Sequence, residues 1–114
     1  MQVSEELVQR VFGVLEEKAR LREKVTYKGL SDAVPGLPVR GVLMSRTLWE
    51  ACMKSHAASN ILITALVVNA GNGLPSVQFF DLVRELRPGY ESESSMETLA
   101  RREQQRVYTA YPRD

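Results

Sequence analysis

The chain has 114 residues, 44% of them apolar and 25% charged, with 15 Lys and Arg against 14 Asp and Glu. At that length about two thirds of the unfolded surface can be buried, so one core needs no metal or disulfide staple, and a second domain does not fit. Up to Ala57 there are 9 basic and 7 acidic residues and after it 6 and 7, summing to 15 and 14, which excludes a polybasic arm and an acidic mimic of DNA.

A single cysteine, Cys52, can make neither an internal disulfide nor a multi-cysteine zinc site, so a reducing, cytoplasmic compartment is expected. The apolar run 61–68 is broken by Thr64 and falls far short of the roughly 18 residues of a membrane span. The opening Met1-Gln2-Val3-Ser4-Glu5-Glu6 turns acidic where a signal peptide is basic. Neither a membrane nor export is expected.

Leu7, Val11, Val14, Leu15 and Ala19 recur at helical spacing behind Ser4, a plausible N-cap, with Glu5 and Glu6 in the first turn. Val25-Thr26-Tyr27 is β-prone, and residues 28–34 make two turns of helix with Leu30, Ala33 and Val34 inward. Pro35-Gly36-Leu37-Pro38 stops that helix, and Pro38 is placed to open another through Val39, Arg40, Gly41, Val42 and Leu43. Thr47-Leu48-Trp49-Glu50 has capping-box spacing and predicts a fresh helix from about Leu48 to Ala58. The β-branched, apolar stretch 61–69 reads as a central strand. Residues 70–76 form a turn rich in Gly and Asn, and Phe79, Phe80, Val83 and Leu86 predict a helix ended by Arg87-Pro88-Gly89. Residues 90–95 are a polar linker, and Ser94-Ser95-Met96-Glu97 starts a last helix with a thin apolar stripe of Met96, Leu99, Ala100 and Val107.

That order predicts a small winged-helix-like α+β domain over residues 1–89 with a short β-sheet, and residues 90–114 as a linker and additional C-terminal helix on the same domain. The stretch Lys24-Val25-Thr26-Tyr27-Lys28-Gly29-Leu30 through Val39-Arg40-Gly41-Val42-Leu43 resembles the start of the DNA-binding domain of alkylguanine-DNA alkyltransferases and alkyltransferase-like proteins. By that resemblance Tyr27 matches a motif tyrosine and Arg40 the arginine that intercalates into DNA. Ala65 stands about where the reactive cysteine belongs, so alkyl transfer is excluded. A second resemblance covers Val25-Thr26-Tyr27, Pro38-Val39-Arg40-Gly41-Val42-Leu43, Ile63-Thr64-Ala65-Leu66-Val67-Val68-Asn69 and Gly73-Leu74-Pro75-Ser76 with Phe79-Phe80. It is similar to small proteins of bacteriophages and other mobile elements, departing at Asn72 and Ser76, and implies a fold and a genomic setting without an activity.

No chemistry of an enzyme is legible. His56 is the only histidine, and Cys52 four residues before it is read as a packing residue, since a reactive thiol needs an electropositive setting. Gly71-Asn72-Gly73 lacks the Lys and Ser or Thr of a phosphate loop. Neither a metal nor a cofactor is expected. The leading expectation is recognition of duplex DNA through the helix starting near Val39, with Arg40 and Arg46 reaching bases or phosphates and Lys28 and Tyr27 beside them, and Lys24 and Lys54 as further cations. The alternative is a small inhibitor or accessory factor directed at a host or defence protein through Trp49, Tyr108, Tyr111 and Arg102, with Met53 and Tyr90 as further large side chains and a homodimer as one form of it.

Overall fold

The computed structural model describes residues 4–89 and 95–112. Helix α1 spans Glu5–Leu21, with Val8, Val11, Leu15 and Ala19 buried along one face. The Ser4 hydroxyl accepts from the Leu7 amide at 3.4 Å, and Arg22 ends the helix in the left-handed region at φ 61°. Strand β1 (Val25–Thr26) leads directly into α2 (Tyr27–Ala33), because Thr26 turns from strand residue to N-cap: its hydroxyl accepts from the Gly29 amide at 3.0 Å. Then come α3 (Val42–Ser59), a 3₁₀ turn (Ile63–Leu66), β2 (Val67–Val68), α4 (Val77–Leu86) and α5 (Met96–Ala110).

These elements overturn the winged-helix expectation. Among the described residues the only sheet is β1 paired in parallel with β2, Val25 opposite Val67 and Thr26 opposite Val68. A wing needs an antiparallel hairpin, and residues 69–76 supply a turn instead, closed by the Gly73 amide on the Asn69 carbonyl at 2.8 Å. The fold is helical, with two short strands as a clip between α2 and the 3₁₀ turn.

Three local expectations fall for identifiable reasons. The helix from Pro38 does not form: Gly41 sits at φ 100°, outside helical geometry, and α3 begins only at Val42. No helix starts at Leu48, since Thr47 is buried inside α3 and its hydroxyl donates back to the Leu43 carbonyl at 2.7 Å instead of capping a new helix. The predicted central strand 61–69 is extended only at β2. Its composition reflects burial rather than pairing: Ile61, Ile63, Leu66 and Val67 join a core with α1, Leu30, Met44 and Val107, while Leu62 and Ala65 join a second with Phe79, Phe80, Val83 and Leu99. A segment buried on both sides has no solvent face, so its sequence shows no alternation.

Buried without a full strand ladder, this segment satisfies its polar groups through side chains. The Ser55 hydroxyl shares its one proton between the carbonyls of Ile61 and Cys52, each 2.8 Å away, and accepts from the Ile63 amide at 3.1 Å. Gln104 on α5 donates to the Ala65 carbonyl at 3.0 Å. The Ser95 hydroxyl accepts from the Thr98 amide at 3.1 Å and so caps α5, whereas Ser94 and most of the expected linker lie outside the described residues. Far from being a thin appendage, α5 buries Leu99, Ala100, Glu103, Gln104 and Val107.

At the end of α4, Arg87 ties three elements together. Its guanidinium donates to Oε1 of Glu103 on α5 from Nε at 3.3 Å and from Nη2 at 3.1 Å. It also donates to the side chain and the carbonyl of Asn60, the left-handed cap of α3, at 2.7 Å each.

Candidate functional site

The first half of α3, the bend before it and the start of α4 enclose a cleft of about 630 Å³. Tyr27 of α2 closes one side; Val39, Arg40 and Gly41 form the bend; Met44, Ser45, Arg46, Leu48 and Trp49 come from α3. Thr64 and Asn69 flank the 3₁₀ turn and β2, and Ser76, Gln78, Phe79 and Leu82 complete the α4 wall. Two long-range hydrogen bonds hold these walls at fixed spacing. Ser45 on α3 donates to the Gln78 side-chain carbonyl on α4 at 3.0 Å, and the Ser76 amide donates to the Tyr27 hydroxyl at 3.0 Å.

Four of the residues anticipated from the sequence converge here: Tyr27, Arg40, Arg46 and Trp49. Read from the sequence they belong to two rival surfaces, and the fold places all four in the lining of one cleft. Arg40 and Arg46 are exposed, and among the described residues neither forms an ion pair. Among the described residues no Asp or Glu lines the cleft, and Arg40 and Arg46 are its charged side chains. Arg46 lies over the Trp49 ring, its guanidinium carbon 5.7 Å from the centroid, within the range of a cation–π contact. Val42 at 62% exposure, Val77 at 63% and Trp49 at 41% are apolar groups left open to solvent at the starts of α3 and α4 and along α3.

The other anticipated residues lie elsewhere. Lys28 is outside the cleft lining and pairs with Asp32 at 3.2 Å, both side chains well exposed. Tyr108 and Tyr111 are half-buried against the α1 core instead of projecting from an unpacked helix. The Tyr111 hydroxyl donates to Glu16 at 2.9 Å, and Arg22 donates to the Tyr111 carbonyl at 2.7 Å. Burial, then the neighbouring Glu16 carboxylate, pushes the Tyr111 phenol up to about 12, and burial raises that of Tyr108 as well. Arg102 lines a separate open depression with Asn60 and Arg106. Tyr90 lies outside the described residues.

Asn69, Ser76 and Gln78 are the site residues that sequence reasoning missed. Asn69 ends the apolar run and Ser76 precedes the α4 pattern, but nothing in a one-dimensional pattern brings them to α3. Cys52 is buried in the core with Leu62, Ala65 and Phe80, and burial raises its thiol to about 11. Among the described residues no group of His, Cys, Asp and Glu could hold a metal, and no helix is long and apolar enough to cross a membrane. Comparison of the chain with protein-family models, with curated proteins and with solved structures found no match in any of the three.

Proposed function

We propose that this protein is a non-catalytic DNA-binding protein whose contact surface is the rim of the α3–α4 cleft, with Arg40 and Arg46 engaging backbone phosphates. The observation that carries this reading is the pair of exposed guanidiniums that, among the described residues, have no carboxylate partner and line a hollow to which no described Asp or Glu contributes. The recognition element differs from the one expected: residues 39–41 are a bend, and only from Val42 onward is the chain helical. Tyr27 and Trp49 add aromatic surface, and Lys28, paired with Asp32 outside the cleft, is not assigned a phosphate.

Two phosphate contacts give a shallow salt dependence, a slope of about −2 in log K against log salt on duplex and less on a single strand. Fluorescence anisotropy with a labelled DNA carrying both a duplex part and a single-stranded tail, titrated over a salt series, tests the reading. Arg40→Ala and Arg46→Ala are each expected to weaken binding and reduce the slope by about 1. Absence of binding by micromolar protein at low salt would remove it.

A protein partner is the second reading, favoured by the solvent-exposed Val42 and Val77. Truncation after Ser94 is unsuited to test it, because α5 carries Leu99, Ala100 and Val107 into the core. The variant Val42→Asp/Val77→Asp tests it instead: a stoichiometric partner complex should be lost while the fold persists.

A further inference from the structure

We infer that the cleft receives an unpaired base of a single-stranded nucleic acid, and that the protein therefore prefers single strand to blunt duplex. The inference rests on the DNA-binding reading above and specifies its ligand. A hollow of about 630 Å³ has the size of a small-ligand cavity, typically about 300–1,000 Å³. A paired base keeps its faces stacked inside the helix, so an element that reads duplex must project into a groove. Here the exposed Arg40 and Arg46 share a concavity with Met44 and Phe79, which are buried, and Leu48 and Leu82, which are half-buried. A concave, partly apolar lining accepts something that enters it.

An unpaired base has the complementary chemistry: two apolar faces, a polar edge and an attached phosphate. Trp49 supplies an aromatic surface at the wall, and base–aromatic stacking tolerates any base because each has a π-face. Gln78 and Asn69 offer side-chain amides suited to a base edge. The Gln78 carbonyl already accepts from Ser45, which leaves its amide NH₂ as the donor for a ligand. Charge decides between this occupant and a neutral apolar peptide, since Arg40 and Arg46 have no carboxylate among the lining residues to neutralise them. An acidic peptide would meet the arginines but would present no planar edge to the amide pair.

Trp49 is the only tryptophan, so its emission reports directly on the cleft. The test titrates the full chain with labelled single-stranded DNA and RNA of about 15 nucleotides, with the blunt duplex of equal length and with an acidic peptide, following anisotropy and Trp49 emission together. The expected result is single strand bound at least tenfold more tightly than duplex, with quenching of Trp49. Trp49→Ala should weaken single-strand binding by about tenfold or more, Trp49→Phe much less, and Gln78→Leu measurably. The DNA and RNA arms decide which backbone is preferred. Should Trp49→Ala not fold, the quenching in the unaltered protein still decides.

Duplex bound as tightly as single strand, with binding still sensitive to Arg40→Ala, would overturn this inference and leave the DNA-binding reading standing. No binding to any nucleic acid would overturn both. Single-strand binding without any change in Trp49 emission would remove the base from the cleft. Quenching by the acidic peptide alone would assign the cleft to a protein partner.

Discussion

Replacing Arg87 by methionine should destabilise the fold by about 3–5 kcal/mol, the cost of leaving one member of a buried ion pair without its partner. The structure places this change at the upper end of that range. Glu103 is 0% exposed and Arg87 8%, so neither has water to fall back on. The guanidinium makes two bonds to Glu103 and two more to Asn60, all four lost together. After the change the ion-pair partner left to Glu103 among the described residues is Arg106, whose Nε lies 3.7 Å from Oε2 and whose side chain is half exposed. With an m-value of about 2 kcal/mol/M, a loss of about 5 kcal/mol lowers the urea midpoint by about 2.5 M. Arg87→Met/Glu103→Leu should recover most of the loss, because removing both charges removes the desolvation penalty as well. Urea denaturation followed by circular dichroism measures all three proteins. A single-variant loss below about 1 kcal/mol, or a double variant no better than the single, would refute the assignment of the pair as a buried, mutually dependent unit.

Ser55→Ala should cost about 1–3 kcal/mol in the same assay, since it leaves the buried Ile63 amide and Ile61 carbonyl without the hydroxyl that serves both. A loss of only a few tenths would mean that these groups find other partners. Tyr111 should make the protein alkali-sensitive. Its folded pKa of about 12 lies above the unfolded value near 10, so its contribution is fully present below about pH 10 and is lost as pH rises towards 12. Tyr108, shifted in the same direction, adds to that trend. Melting temperature against pH in that window should fall less steeply in Tyr111→Phe, and an unchanged slope would count against it.

What was legible in the sequence is what local periodicity and capping encode. The Ser4 cap, the turn at 70–76 and the core positions of α4 follow from residue spacing, and on α1 the spacing finds Val11, Leu15 and Ala19 but passes over the buried Val8, while Leu7 and Val14 are only half-buried. The 61–69 segment misled because burial on both sides produces the same uninterrupted apolar run as a central strand. The Thr47 signal misled because a threonine hydroxyl serves an N-cap and an interior backbone carbonyl with the same atoms. On α5 the apolar stripe looked thin because two core-facing positions, Glu103 and Gln104, are polar and find partners on Arg87 and the Ala65 carbonyl. Arg46 and Trp49 are legible singly by charge and ring type, and Arg40 and Tyr27 through the family resemblance as well. Their convergence depends on the α3–α4 contact through Ser45 and Gln78, which no spacing along the chain reveals.

That convergence carries a thermodynamic consequence. The hollow is assembled from residues 27, 39–49, 64–69 and 76–82, so an unfolded chain offers no equivalent of it and any occupant selects the native state. At a hundredfold excess over its dissociation constant an occupant adds about 2.7 kcal/mol, which for a chain of this size raises the melting temperature by on the order of 10 °C. Thermal denaturation thus becomes an unbiased screen: whichever compound lifts the transition, and loses that effect when a wall residue is altered, declares itself without a prior guess at its identity.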